Sequence, residues 1–160
     1  MKAIMDFKKF DFFHAFSEDQ LKELMKVTEK KTFKKGAQIY GEGDRANKIY
    51  IVSRGWVKLK KLDPGKDIDI SFENRGKGEL FGAACFMKPQ EYTLNAICME
   101  DSEVIAMNAD DLFNLFHKDY QIGYLFLKEI SKVYFERYKS VKRQLFDMVK
   151  APVTITALPG

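Results

Sequence analysis

Hydrophobic residues change their spacing along the chain near residue 30 and again near residue 108. Before residue 30 they recur at helical spacing, and after residue 108 helical spacing returns. Between the two changes, short apolar runs are separated by turns at intervals of about eight to twelve residues, which is typical of a β-sandwich or barrel. The pattern predicts a mainly β protein with flanking helices.

The segment before residue 30 predicts short helices. Its aromatic residues fall close to helical spacing: Phe7, Phe10, Phe12, Phe13 and Phe16. Ser17 and Gln20 form a capping-box pair, because the serine oxygen can accept an early helical N–H and the glutamine can reach back. The apolar face that follows predicts an amphipathic helix over about 18–28, and it consists of Leu21, Leu24, Met25 and Val27.

Five runs in the middle of the chain predict strands, since each is rich in β-branched or aromatic residues or alternates apolar with polar positions. These runs cover residues 49–52, 56–62, 68–72, 94–99 and 103–107. The sequence Gly41-Glu42-Gly43-Asp44 predicts a turn before the first run. The sequence Asp63-Pro64-Gly65-Lys66 predicts a hairpin turn between the second and third runs.

Two helices are predicted after the strands. Asn108 can cap the first, with Asp110 and Asp111 in a first turn where the helix dipole favours acidic groups. A longer helix is predicted over about 120–149, and Pro152 ends it. Seven of its residues alternate between spacings of four and three: Leu127, Ser131, Tyr134, Tyr138, Val141, Leu145 and Met148. We call these seven residues the heptad seam, and because such seams commonly pair two helices, we expect a homodimer.

The stretch 76–93, GKGELFGAACFMKPQEYT, has two structural interpretations. Gly76 and Gly78 let the backbone bend at little steric cost. After Gly82, the small residues at 83–85 leave successive backbone N–H groups approachable, as in an anion-binding nest. The alternative is a tight turn between strands followed by one buried helical turn. The residues of this stretch do not decide between a ligand site and a buried turn.

Composition narrows the function classes. The chain has 160 residues, enough for a packed core, and its 14 phenylalanines argue against disorder. The net charge of +4 comes from interspersed lysines and glutamates, without a block that indicates nucleic acid binding. Cys85 and Cys98 are too few for a disulfide framework and are expected to be buried thiols. His14 and His117 lie far apart, and no metal-ligand spacing or catalytic motif is present, so no enzyme activity is expected.

Four stretches occur in a distinctive order: FFHAFSEDQL, KKGAQIYGEGD, KIYIVSRGWVKL and GKGELFGAACFM. In that order the chain resembles the cyclic-nucleotide-binding domain of the catabolite-activator and protein-kinase-A regulatory families, over about residues 12–149. The matching positions are Gly36, Gly41, Gly43, Asp44, Tyr50, Gly55, Gly76, Gly78, Phe81 and Gly82. The resemblance implies a β-roll, a jelly-roll-like double-stranded sandwich, with short N-terminal helices and a long C-terminal helix.

The resemblance also implies a ligand site. Residues that match the family's ligand-binding cassette are Phe81, Gly82, Ala83, Ala84, Cys85, Tyr92 and Thr93, and Arg137 and Tyr138 on the long helix match positions near the ligand. The family has a ribose-binding glutamate where this chain has Ala83. It has a phosphate-binding arginine where this chain has Tyr92, or Glu91 if the loop shifts by one residue. A guanidinium can make two parallel bonds to a phosphate, whereas tyrosine has one neutral O–H. No cofactor is expected, and cAMP or cGMP is expected to bind weakly.

The predicted organisation is an N-terminal helical segment at 1–29, a β-roll with the cassette at 30–108, helices at 109–150 and a tail at 151–160. We expect a regulatory domain that binds a small effector, either a cyclic nucleotide or another compound, and dimerises through the long helix. Two alternatives remain open. One is the sensor half of a catabolite-activator-type transcription regulator, and the other is a dimerising scaffold without a ligand.

Two further expectations concern partners and location. About ten residues follow the long helix, too few for a helix-turn-helix, so no DNA-binding domain is expected in this chain. No apolar run has the length of a membrane span, and the N-terminus lacks the apolar core of a signal peptide. A cytoplasmic location without a membrane partner is therefore expected.

Overall fold

The computed structural model of this chain describes residues 6–62 and 69–149, in two compact units whose boundary lies between Leu125 and Phe126. The strands are β1 Thr28–Phe33, β2 Gln38–Tyr40, β3 Lys48–Arg54, β4 Val57–Leu62, β5 Asp69–Arg75, β6 Leu80–Phe81, β7 Asn95–Cys98 and β8 Ser102–Asn108. The α-helices are α1 Glu18–Lys26, α2 Ala109–Lys118 and α3 Tyr120–Met148, and two short 3-10 helices cover Asp11–Phe13 and Ala83–Phe86.

The strands form two four-stranded sheets. One has the order β1-β8-β3-β6 and the other has the order β2-β7-β4-β5, with antiparallel pairing between the named strands. This architecture confirms the mainly β class with flanking helices, and the two sheets form the expected β-roll.

The register assigns the two faces of the first sheet. Tyr50 pairs with Ala106 and Val52 with Val104, so these four residues share a face, because side chains alternate along a strand. The ring of Tyr50 lies 5.9 Å from the ring of Tyr40, which belongs to β2 of the other sheet. This face therefore points between the sheets. The opposite face carries a second buried apolar layer: Ile49, Ile51, Leu80, Ile105 and Met107.

The N-terminal segment packs through its phenylalanines. All five are buried, and the ring of Phe13 contacts the rings of the other four: Phe7, Phe10, Phe12 and Phe16. The predicted capping box is present, with the Gln20 N–H donating to Ser17 Oγ at 3.3 Å and the Ser17 N–H donating to Gln20 Oε1 at 2.9 Å. Helix α1 ends at Lys26, two residues earlier than predicted, since Thr28 already pairs with Met107 of β8.

The start of α2 also follows the prediction. Asn108 Oδ1 accepts bonds from the backbone N–H groups of Asp110, at 2.9 Å, and Asp111, at 3.3 Å. Helix α3 ends at Met148, within one residue of the predicted end. The predicted hairpin turn at 63–66 and the tail at 151–160 lie outside the described residues.

Candidate functional site

The stretch 76–93 contains both a turn and a short helix. The Gly76 N–H donates to Glu79 Oε2 at 2.7 Å, and β6 follows. Gly82 then adopts a left-handed conformation with φ of +82°, which redirects the chain into the 3-10 helix Ala83–Phe86. A glycine suits this position because a side chain is strained at that φ. A methyl group there would also lie 3.2 Å from the backbone oxygen of Lys48.

Tyr92, which occupies the arginine position of the resemblance, is buried in a column of aromatic rings. Its ring stacks on Tyr40 with centroids 3.6 Å apart and an interplanar angle of 11°. Tyr50 stacks on Phe81 with ring centroids 5.1 Å apart. Tyr40 also contacts both of these rings, so it connects the two stacked pairs. We call Tyr40, Tyr50, Phe81 and Tyr92 the tyrosine column. It brings residues from β2, β3, β6 and the loop before β7 together between the two sheets.

The hydroxyl of Tyr92 makes two hydrogen bonds to the backbone of one residue. It donates to the Lys48 carbonyl oxygen at 2.7 Å and accepts from the Lys48 N–H at 3.2 Å. Burial raises the pKa of Tyr92 far above its usual range, and burial also raises the pKa of Tyr50. Both phenols are therefore neutral near pH 7, and Tyr92 cannot supply the positive charge that a phosphate-binding arginine would.

The cassette is held in place by backbone bonds to the loop that follows β2. The Gly43 N–H donates to the Tyr92 carbonyl at 2.8 Å, and the Tyr92 N–H donates to the Asp44 carbonyl at 2.9 Å. The Ala46 N–H donates to the Gln90 carbonyl at 2.8 Å, while Gln90 Nε2 reaches back to the carbonyl of Cys85 at 2.7 Å. The three backbone bonds tie residues 90–92 to the loop after β2, and the Gln90 bond ties them to the 3-10 helix.

The predicted cassette residues differ in their accessibility. Phe81, Ala83, Cys85 and Tyr92 are buried, whereas Ala84 is half-buried and Thr93 is exposed. Burial raises the pKa of the Cys85 thiol to about 12, so this cysteine is not a reactive thiolate at neutral pH. The two cysteines are free and buried, as expected. Arg137 and Tyr138 belong to the second unit, where the Arg137 guanidinium lies over the Tyr134 ring at 5.0 Å from its centroid.

Three residues of the site were missed by sequence reasoning. Tyr40 and Tyr50 complete the column, although Tyr50 had been noted only as a family match. Phe86 joins the cassette to α2 through an edge-on contact with Phe113, with ring centroids 5.5 Å apart. The signal available in the sequence was the alternation of β3, which puts Tyr50 on the same face as Val52. Contacts between residues this far apart in sequence have no local signature.

The described residues contain neither a candidate metal site nor a helix that could cross a membrane. Among residues 6–62 and 69–149, no group of three or more His, Cys, Asp or Glu side chains could hold a metal ion. No helix in those ranges is both long and apolar enough to cross a bilayer.

We expect Tyr92→Phe to destabilise the protein by about 1–2 kcal/mol, because the Lys48 carbonyl and N–H would both lose their buried partner. The free energy of unfolding in urea is the measurement. Tyr120→Phe is the matched control, since Tyr120 is exposed and should cost less than about 0.5 kcal/mol. Equal losses in the two variants would show that the Tyr92 hydroxyl contributes nothing.

The comparisons with known proteins agree with this geometry. The family model described as the cyclic nucleotide-binding domain matches residues 30–119. The chain belongs to the cyclic nucleotide-binding domain family. The matched region of this cyclic nucleotide-binding domain includes both sheets except the first two residues of β1, and it includes the whole cassette and α2.

Individual relatives of this domain are more distant. It is 24% identical over 106 residues to the cyclic AMP receptor protein of Thermus thermophilus, covering 66% of this chain and 49% of that protein. It is 26% identical over 118 residues to the anaerobic regulatory protein of Bacillus subtilis, covering 72% and 48%. The chain thus spans about half the length of these two relatives. A cyclic nucleotide-binding domain from Methylobacillus flagellatus has the same fold, with a TM-score of 0.79, 14% identity and coverage of 94% of this chain and 84% of that chain.

Proposed function

We propose that this domain is a non-enzymatic regulatory module that senses a small effector inside its β-roll and dimerises through α3. The observation that carries the proposal is the cassette itself, which is closed by backbone bonds around the tyrosine column rather than left as an unattached turn. The regulatory roles named for the two relatives support a sensing function. The proposed effector site is the face between the sheets, bordered by the 3-10 helix.

The residues of the cassette argue against tight binding of a cyclic nucleotide. Ala83 has no acceptor for a ribose hydroxyl, and Tyr92 is neutral with its hydroxyl already bonded to Lys48. Loss of a buried partner of a charged group costs about 2–5 kcal/mol, which corresponds to about 1.5 to 3.5 decades of affinity. An effector of this domain is therefore recognised by groups other than the family's arginine and glutamate.

A structural route connects the cassette to the start of the long helix. Phe86 of the 3-10 helix contacts Phe113 of α2, as described above. At the other end of α2, a methyl group on Gly123 would lie 2.9 Å from Phe116 Cβ, which means that the first turn of α3 packs closely on α2. A shift of the 3-10 helix on effector binding would be transmitted to α3 through these contacts, because packed elements move as units.

The exposed seam supports dimerisation. Six apolar members of the heptad seam are solvent-exposed in the second unit: Leu127, Tyr134, Tyr138, Val141, Leu145 and Met148. The seventh, Ser131, donates its hydroxyl to the Leu127 carbonyl at 2.8 Å, so it adds no unsatisfied donor to the stripe. The stripe extends about 32 Å along the helix. A second copy of the same helix would remove this stripe from water.

The two alternatives from the sequence keep specific support. Coverage of about half of two regulatory proteins favours a sensor portion that acts with other modules. The satisfied hydroxyl and close stacking of Tyr92 favour a scaffold whose roll is filled by its own side chains. Native mass spectrometry of protein purified without added ligand separates sensor from scaffold. A small molecule that leaves on unfolding supports the sensor, and its absence together with a lack of any binding response supports the scaffold.

We expect wild type to bind cAMP and cGMP no more tightly than about millimolar, as measured by calorimetry, for the reasons given above. Ala83→Glu combined with Tyr92→Arg should improve cAMP binding at least about tenfold, because it adds a ribose acceptor and a charge-assisted phosphate contact. Ala83→Glu combined with Tyr92→Leu is the matched control, since it opens the column without adding a cation. A folded double variant that binds no better than this control would contradict the proposed placement of the two residues.

A further inference from the structure

Three charged residues lie on the face of the first sheet that points between the sheets. Glu29 and Tyr50 both pair with Ala106, from opposite sides of β8. Lys31 pairs with Val104, and Lys48 with Asn108, so both lysines share the face of Tyr50. Charged residues on a face that is otherwise apolar need a physical reason, because desolvating a charge is costly.

The two lysines converge on one carboxylate oxygen. Glu29 Oε2 lies 3.5 Å from Lys31 Nζ and 3.9 Å from Lys48 Nζ. The lysine side chains are half-buried, at 32% and 25% exposure, whereas Glu29 is 64% exposed. One carboxylate therefore faces two ammonium groups, and the cluster retains a net charge of about +1 at neutral pH.

The two ammonium groups also perturb each other. The proximity of Lys31, together with burial and charge repulsion, lowers the pKa of Lys48. The proximity of Lys48 and the attraction of Glu29 raise the pKa of Lys31 against the effect of burial. A second anion beside the pair would favour the charged form of both lysines.

This lysine pair adjoins the cassette. The backbone of Lys48 carries both hydrogen bonds of the Tyr92 hydroxyl, and its carbonyl is the atom 3.2 Å from a methyl group placed on Gly82. Lys48 thus contacts Tyr92 directly and lies beside the start of the 3-10 helix Ala83–Phe86. The strand that carries Lys48 therefore borders the cassette, in which Ala83 and Tyr92 carry no charge.

We propose that Lys31 and Lys48 bind the anionic group of the effector, a phosphate or a carboxylate, from the strand side of the β-roll. The inference rests on the proposed sensing function and names the chemistry of its ligand. Ammonium groups on half-buried stems are strong partners for either anion, and Glu29 holds them together in the absence of ligand. A dianion suits the site better than a monoanion, since each added negative charge strengthens the attraction to the two ammonium groups.

A series of probes with one organic body and increasing charge tests this directly. Adenosine is neutral, cAMP carries one negative charge, and AMP carries about −1.5 to −2 at pH 7.5. Benzoate and phthalate form the corresponding carboxylate pair and distinguish the two anion classes. Binding is measured by ligand-observed NMR, which reaches millimolar affinities, at a constant ionic strength of about 0.1 M, because salt screens such contacts.

The expected result is a saturable response whose association constant rises at least about threefold for each added charge. Coulomb's law gives that factor at roughly 6 Å in a water-like dielectric. Lys31→Gln and Lys48→Gln should each weaken AMP binding at least about fivefold and reduce the difference between AMP and adenosine. Lys30→Gln is the matched control, since it removes the same charge from the neighbouring residue. Lys30 lies on the opposite face, with Nζ 3.3 Å from Glu103 Oε1, and its loss should change binding less than about twofold.

Three outcomes would overturn the inference. Equal losses in Lys30→Gln and Lys31→Gln would reveal general attraction by a basic protein instead of a site. If adenosine binds as tightly as AMP, the lysine pair has no role in binding. The sensor proposal would then stand with a neutral effector. No saturable binding of any anion by wild type would also reject the lysine pair, whereas the sensor proposal itself fails only if no small molecule co-purifies or binds.

Discussion

Val141→Asp combined with Leu145→Asp is expected to convert the protein from a dimer to a monomer, raising the dimer dissociation constant at least about a thousandfold. Both residues are exposed members of the heptad seam and lie one helical turn apart. A dimer of the variant would place four carboxylates in an apolar interface, and each costs at least as much as burying an unpaired neutral polar group, about 1–3 kcal/mol. A thousandfold change corresponds to about 4 kcal/mol, which is within that sum.

Light scattering or sedimentation at about 50 μM, well above the dissociation constant expected for a seam of this length, is the measurement. Ser140→Asp combined with Gln144→Asp is the matched control. It has the same spacing and adds the same charge, but each change lies one residue earlier and is rotated by about 100° around the helix. A wild-type monomer at this concentration would contradict the dimer proposal, and so would equal dissociation in the two double variants.

Gly55→Ala is expected to have the largest effect on stability, a loss of about 3 kcal/mol or more. Gly55 has φ of +91°, where an L side chain costs about 1–2 kcal/mol. Its added methyl group would also lie 2.8 Å from Ser102 Cα and in contact with Ser102 Oγ. The Cα atom belongs to the backbone of β8 and cannot rotate away, so overpacking adds about 1–3 kcal/mol.

Gly36→Ala separates the two contributions in this prediction. Gly36 has nearly the same backbone conformation, with φ of +83°, but a methyl group there meets nothing within 4 Å. We expect this control to lose only the conformational term, about 1–2 kcal/mol. Urea unfolding of both variants gives the comparison, and a loss in Gly55→Ala no larger than in Gly36→Ala would show that β8 moves to accept the methyl group.

The role of Arg137 in ligand binding stays a prediction. The resemblance places this residue near the ligand, where its guanidinium could take the place of the missing arginine. In the second unit, its guanidinium packs over Tyr134, a member of the heptad seam. The proposed lysine pair would supply the positive charge of the missing arginine from a different place, because it lies in the first unit together with the cassette. The Lys31→Gln and Lys48→Gln variants test it without any assumption about α3.

Local chemistry in the sequence determined the elements whose signals lie within a few residues. At the start of α1, the side chains of Ser17 and Gln20 accept bonds from backbone N–H groups. Asn108 does the same for α2, so both helix starts were predictable. The short strand runs separated by turns, together with the order of the glycine-containing stretches, were sufficient for the β-roll. The edge strand β1 was missed because its sequence, TEKKTF, is mostly polar, and its pairing with β8 decides its conformation.

Only the tertiary structure decided what the site contains. Tyr92 and Tyr40 are separated by 52 positions in sequence, and no local pattern indicates that their rings stack or that the Tyr92 hydroxyl bonds to Lys48. Lys30 and Lys31 are neighbours in the sequence, and the register of β1 on β8 turns the two to opposite faces. A side chain's neighbours across a sheet depend on strand order and register. These follow from the packing of the whole domain, so the sequence could place the cassette but could not specify the groups that surround it.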